Sequence, residues 1–269
     1  VDLVSFKELS SKNNPKLVLY KKLSADKRFR EKQGKIALEG PNLIQEALKN
    51  ELVPEFIIFT PEYPDSPGGN WVKELSSSIK KYQVNEQLFK SIALTEKPQP
   101  VAAVFFFNPL DFGLKKKIRQ KLVIILEDLQ DPGNVGAIIR TAAAAGADTI
   151  FFSSGCADPF GPKALRASAG SIFSLKVESV HNPVRLVDSL KEKGLQSIAA
   201  VAHGGTAYLE SQYKLPAVLL IGNEAGGLST DLLSVADFQV TIPLPGNVES
   251  LNAAVAAAIL LFELVSRHK

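Results

Sequence analysis

Beyond residue 120 the chain alternates short apolar runs with longer stretches that are apolar on one side. The runs predict strands over 122–127, 148–153, 174–178, 196–202, 217–221 and 238–242. The stretches between them predict helices over 134–146, 162–169, 183–194, 228–235 and 251–266. Val123-Ile124-Ile125-Leu126 is apolar at every position, as in a parallel strand covered on both faces. The earlier part of the chain is patterned on a smaller scale. A helix is predicted over 14–33, with Leu17, Leu19, Tyr20 and Leu23 on one side and lysines on the other. A strand over 35–38 ends at Gly40, and Pro41 opens a helix at its favoured first position. Strands over 56–59 and 101–107, helices over 71–81 and 86–92, and a short strand at Gln83-Val84 complete a small α/β sandwich. Between the two patterns, residues 109–120 carry Pro109, Gly113 and four closely spaced Lys/Arg residues, the composition of a linker. The predicted organisation is therefore an α/β sandwich over 1–108 and a mostly parallel sheet with helices on both faces over 121–269.

Three stretches of the second part share one grammar of strand, polar glycine-containing loop and helix. The first runs from Leu122 through Asp128-Leu129-Gln130-Asp131-Pro132-Gly133-Asn134 to Gly146. In the second, the strand over 217–221 leads into Gly222-Asn223-Glu224-Ala225-Gly226-Gly227. The third is Ile242-Pro243-Leu244-Pro245-Gly246-Asn247-Val248-Glu249-Ser250-Leu251-Asn252, followed by an alanine-rich helix. Ser250 is the expected N-cap there, with Leu251 and Asn252 in the first turn. Open α/β sheets bind ligands in loops at the carboxyl ends of their strands, and helix N-termini favour such a site. Glycines at 222, 226 and 227 leave room for a close backbone approach. The chain contains no GxGxxG, GxxxxGK[ST] or GxSxG pattern, so dinucleotide, P-loop and serine-hydrolase readings lack sequence support.

These three stretches, in this order, resemble the three motifs of the SpoU/TrmH family of knotted, S-adenosylmethionine-dependent RNA ribose 2′-O-methyltransferases. The resemblance covers residues 121–266, and 11–48 also resembles the substrate-binding domain of many members. It implies a deep C-terminal knot, S-adenosylmethionine as cofactor, and a homodimer through the catalytic domain. The implied catalytic residues are Arg140, Asn134, Glu224, Ser250 and Asn252. A guanidinium is always charged, so Arg140 suits a phosphate clamp and alkoxide stabiliser better than a literal base. Asn134 is expected to bond Arg140 and substrate, or to cap its helix, and Glu224 to orient Arg140 or the acceptor nucleotide. Ala202, Gly204, Gly222, Ile242, Leu244 and Leu251 are the implied cofactor-binding positions. The family often has a hydroxyl residue near 202, and alanine there removes one contact. Lys163 and Arg166 match a basic segment lining the RNA cleft. Ribosomal RNA is the expected substrate ahead of tRNA, and a catalytically silent RNA-binding protein on the same fold is the alternative.

Charge and composition fit a globular RNA-binding protein. The net charge is only +3, yet residues 7–35 hold ten Lys/Arg against three Asp/Glu. Lys12, Lys16, Lys27 and Arg28 in that segment are candidate phosphate contacts, or else a solvated helix face. Cys156 is the one cysteine, which excludes a disulfide framework and points to a reducing compartment. His181, His203 and His268 are scattered, so no metal is expected. The longest strongly apolar run, 253–262, falls short of the roughly 20 residues that span a membrane, so a cytoplasmic protein is expected.

Overall fold

The computed structural model describes residues 6–93, 98–108 and 121–267; the linker expected over 109–120 lies outside them. Contacts divide the chain into two compact units, one made almost entirely of residues up to Asn108 and the other of later residues.

The first unit holds β1 (Lys7–Glu8), α1 (Pro15–Ala25), α2 (Lys27–Gln33), β2 (Lys35–Glu39), α3 (Pro41–Lys49), β3 (Pro54–Phe59), α4 (Trp71–Glu74), β4 (Lys80–Gln83), α5 (Glu86–Ile92) and β5 (Val101–Phe106). Its sheet runs β1-β4-β3-β5-β2, with β5 antiparallel to both neighbours. The helix predicted over 14–33 is broken in two at Asp26. The Asp26 N–H closes α1 on the carbonyl of Lys22, and its carboxylate accepts the Phe29 N–H to open α2. A capping residue inside an amphipathic run thus overrides the periodicity. The buried Arg30 guanidinium donates to the Leu23 carbonyl across the bend. The helix expected over 71–81 stops at Glu74. Ser76 and Ser78 bond each other there, and the Ser76 hydroxyl also accepts the Ser78 N–H, which competes with helical bonding.

The second unit contains β6 (Leu122–Leu126), α6 (Pro132–Ala144), β7 (Thr149–Ser153), α7 (Pro162–Ser168), β8 (Lys176–Val180), α8 (Pro183–Glu192), β9 (Gln196–Ala200), β10 (Thr206–Ala207), β11 (Ala217–Ile221), α9 (Thr230–Val235), β12 (Phe238–Thr241) and α10 (Ala253–Ser266). All seven strands pair in parallel, in the order β10-β12-β9-β11-β6-β7-β8. Val123, Ile125, Val218 and Leu220 pack with Val187 and Leu190 of α8 and Leu232 of α9 on one face. The alternate residues point to the other face, and α10 packs on β11 and against α6. From β6 the chain winds one way through β7 and β8, then returns to lay β11 on the other side of β6. That reversal is a topological switch point, where an open parallel sheet leaves a crevice between its loops.

No described helix is long and apolar enough to cross a membrane. At the C-terminal end, Arg267 donates to the carbonyls of Tyr208, Leu209 and Ser211 and pairs with Glu263. The end of α10 is thereby fastened to the segment after β10.

Helices α6 and α7 touch at Gly136, where an added Cβ would meet the Ala164 carbonyl oxygen and the Ala167 methyl. Gly136→Ala is expected to lower stability by about 1–3 kcal/mol through overpacking, despite its better helix propensity. Urea unfolding checks this; an unchanged or raised midpoint would show that the contact is slack.

Candidate active site

Loops at the carboxyl ends of β9, β11 and β12 enclose a cavity of about 650 Å³, with the start of α10 as a further wall. Ala202, Gly222, Ile242, Leu244 and Leu251 line it, as do Glu224 and Ser250. Gly204 is not among the lining residues; it turns the chain at φ +77° with open space beside its α-carbon. His203, Gln239 and Glu249 also line the cavity. His203 was legible only as the residue after a strand end, and nothing in its spacing marked it.

The loop after β11 is closed on itself. Asn223 and Gly227 exchange backbone hydrogen bonds of 3.0 and 2.9 Å, and the Asn223 side-chain oxygen accepts the N–H groups of Ala225 and Gly226. A Cβ on Gly222 would collide with the backbone of Gly227, which itself sits at φ +68°. These two glycines are therefore required by the loop's own closure, and not only by space for a ligand.

The N-terminus of α6 is capped by Asp131, whose carboxylate accepts the N–H groups of Gly133 and Asn134. These bonds, that from Asn134 foremost, together with the ammonium of Lys163, hold Asp131 below the ordinary carboxylate range. Asp131, and not Asn134, is the cap, which frees the Asn134 side chain for other partners. Its Nδ2 donates to Glu224 Oε1 at 2.7 Å, and its Oδ1 accepts from Asn252 Nδ2 at 2.9 Å. Asn252, not Ser250, caps α10, its Oδ1 accepting from Ala254 and Val255. Ser250 and Leu251 precede the helix.

The direction of this chain of amides is set by the cap. Helix N–H groups require the oxygen of Asn252, so its amide nitrogen faces Asn134. The Asn134 oxygen is then occupied, and its nitrogen must find an acceptor, which Glu224 supplies. Oε2 of Glu224 has no hydrogen-bond partner among the described residues.

Arg140 does not join this group. It lies on α6 about 9 Å along the axis from Asn134 and about 120° round it. It is exposed, and its side chain makes no hydrogen bond or ion pair among the described residues. The bonds expected from Arg140 to Asn134 and Glu224 are absent: Arg140 stands on another side of α6, while Asn134 and Glu224 bond each other. Lys163 is exposed, with its Nζ 3.1 Å from Asp131, and Arg166 is exposed one turn further along α7. In the first unit Lys12, Lys27 and Arg28 are exposed. Lys16 is half-buried, its ammonium 5.2 Å from the centre of the Tyr82 ring, and so is partly engaged already. No group of His, Cys, Asp and Glu among the described residues is arranged to hold a metal ion.

Substitution of Asn252 separates its two roles. Asn252→Ala is expected to cost about 1 kcal/mol through loss of the cap, and Asn252→Asp, which keeps the cap but turns an acceptor toward Asn134, to cost about half of that. Chemical denaturation measures both; equal losses would mean that the contact with Asn134, not the cap, dominates.

Comparison with known proteins agrees with this geometry. Residues 121–262 match the SpoU rRNA Methylase family, and 14–103 match the MRM3-like substrate binding domain. The 23S rRNA (guanosine(2553)-2′-O)-methyltransferase RlmP of Bacillus subtilis is 35% identical over 96% of this chain and 99% of its own length. The mitochondrial rRNA methyltransferase 3 of Mus musculus is 32% identical over 87% of this chain and 68% of its own. The SpoU methyltransferase AviRb of Streptomyces viridochromogenes, crystallised with AdoMet, superposes with a TM-score of 0.83 at 27% identity, over 95% of this chain and 98% of its own. With the family model covering nearly all of the second unit and a relative aligned along nearly the full length, this chain belongs to the SpoU rRNA methylase family.

Proposed function

We propose that this chain transfers a methyl group from S-adenosylmethionine to a ribose 2′-hydroxyl of structured RNA, and that the RNA is ribosomal. The observation that carries the choice of RNA is the first unit. The chain aligns with RlmP along nearly its whole length, and its residues 14–103 match a substrate-binding domain model named for an rRNA methyltransferase. The structure of the A. aeolicus TrmH/SpoU tRNA modifying enzyme covers only 58% of this chain.

The cavity suits the cofactor. Its volume is within the range of small-molecule sites, and it joins apolar walls at Ile242, Leu244 and Leu251 to a polar edge at Glu224 and Ser250. Apolar walls favour a nucleobase, and the polar edge faces the groups that must be oriented. When bound, S-adenosylmethionine supplies an electrophilic methyl on a sulfonium. Glu224 both lines the cavity and is held by Asn134, which supports a role for it between cofactor and acceptor. Its Oε2 accepts a hydrogen bond from the acceptor nucleotide and fixes that nucleotide's orientation. Arg140, its side chain unpaired among the described residues, clamps the neighbouring phosphate and stabilises the ribose oxygen as its proton passes to water. Lys163 and Arg166 on α7, and Lys12, Lys27 and Arg28 on the first unit, contact phosphates. We place the activity in the cytoplasm, whose reducing conditions suit the free thiol of Cys156.

The active assembly is a homodimer through α10. Val255 is 48% and Phe262 50% exposed, and Ile259, also on that stripe, is half-buried. An apolar stripe of this kind on a soluble protein calls for a cover, and a two-fold copy is the commonest one. Ala257 and Leu261 are fully buried within the protomer, so a charge at either would test folding rather than association.

Arg140→Ala is expected to lower turnover about 10²–10³-fold, the loss typical of one charge-stabilising donor. Its S-adenosylmethionine affinity, measured by calorimetry, should stay within about twofold of wild type, since Arg140 lies outside the cavity. Wild-type turnover would remove Arg140 from the mechanism. Phe262→Glu is expected to convert a dimer to a monomer at micromolar concentration in sedimentation equilibrium; a persisting dimer would place the interface elsewhere. In unmodified transcripts, methyl transfer to ribosomal RNA should exceed that to tRNA, and the reverse preference would overturn the choice of substrate.

A further inference from the structure

The loop that carries Glu224 is held at both ends by two consecutive residues that do not line the cavity. Its last residue before α9 is Ser229. The Glu127 carboxylate grips it with both oxygens: Oε2 accepts the Ser229 N–H at 2.7 Å, and Oε1 accepts the Ser229 hydroxyl at 2.8 Å. The same hydroxyl accepts the Leu232 N–H, so its proton direction is set. At the other end the Asn223 side-chain nitrogen donates to the carbonyl of Asp128 at 2.9 Å. Asp128 takes a left-handed backbone, φ +54°, which a non-glycine residue adopts only when its surroundings hold it there. Ser153 does so, accepting the Asp128 N–H and donating to its carboxylate at 2.6 Å.

Both ties come from the end of β6, and the strand itself is anchored beside them: the Glu127 N–H donates to the Ile221 carbonyl. Every residue from Gly222 to Leu228 lines the cavity. The loop's width is set by its own Asn223–Gly227 closure, and the Glu127 and Asp128 ties fix where that closed loop sits as one cavity wall. The Glu127–Ser229 grip is charge-assisted and two-pronged, so it resists both translation and rotation of the loop's end.

We infer that Glu127 is a positioning residue for the S-adenosylmethionine site: it contacts neither cofactor nor RNA, and acts by holding the 222–228 wall through Ser229. This rests on the reading of the cavity as the cofactor site.

The test uses the full chain and the variants Glu127→Ala, Glu127→Gln and Ser229→Ala. Amide hydrogen exchange over 222–228 reads the loop without any ligand, and calorimetry with S-adenosylmethionine reads the site. Glu127→Ala should accelerate exchange within 222–228 and weaken cofactor affinity about ten- to a hundredfold, as loss of a charged hydrogen-bond pair does. Its affinity for ribosomal RNA should be unchanged. Glu127→Gln should recover most of both readouts, since a carboxamide can accept from the Ser229 N–H and donate to its hydroxyl. Ser229→Ala keeps the N–H tie and should fall between.

Wild-type exchange and affinity in Glu127→Ala would overturn the inference. So would a Glu127→Gln protein as impaired as Glu127→Ala, or exchange accelerated equally along β6 and β11. If Glu127→Ala does not fold, Ser229→Ala decides alone, and wild-type behaviour there overturns the inference. A wild-type chain that fails to bind S-adenosylmethionine would instead overturn the reading of the cavity, while the exchange data still decide whether Glu127 holds the loop.

Discussion

Asn134 spends its one side-chain amide on two other loops: its nitrogen goes to Glu224 and its oxygen to Asn252. Because Asn252 must turn its own oxygen to the N–H groups of α10, the amides can point only one way, and a hydrogen-bond donor is always presented to Glu224. A carboxylate that lines the cavity is thus oriented by a helix N-terminus two residues removed from it. Neither amide titrates, so the direction of the two amides does not change with pH. The arrangement also explains why three separate loops need such particular residues. Aspartate in place of either asparagine would put two acceptors face to face.

The sheet makes this convergence available. Parallel strands send every carboxyl end to the same edge, and the reversal after β8 lays β11 directly against β6. The loops after β6 and β11 therefore lie side by side although Asn134 and Glu224 are 90 positions apart. Capping by Asp131 then leaves Asn134 free for that neighbour.

Much of the fold was legible because its signals are local. In the second unit each predicted strand coincides with an observed one to within about two residues at either end, since a run such as 122–126 buried on both faces has few other uses. The two-residue strands β1 and β10 are too short to leave a pattern. Helix starts were misplaced where two capping candidates stood close together: Asp131 against Asn134, and Asn252 against Ser250. At the first, Pro132 in the opening turn was the available signal. That the three loops meet was legible from their shared grammar and their resemblance to a family, but the standing of Arg140 and Gly204 apart from the cavity, and the bonding among Asn134, Glu224 and Asn252, were not. The partners of Asn134 lie 90 and 118 residues away, and periodicity carries no information on such pairs. The role of Glu127 is hidden for the same reason: in sequence it is the polar end of a strand, and its partner Ser229 lies 102 residues away.

The most direct test of the account is the position of the transferred methyl. Unmodified ribosomal RNA incubated with this chain and isotopically labelled S-adenosylmethionine, then digested to nucleosides and analysed by mass spectrometry, locates the label. The account expects it in a 2′-O-methylribose at a single nucleotide. Label on a base, or none in any ribose with folded protein and intact RNA, would contradict it.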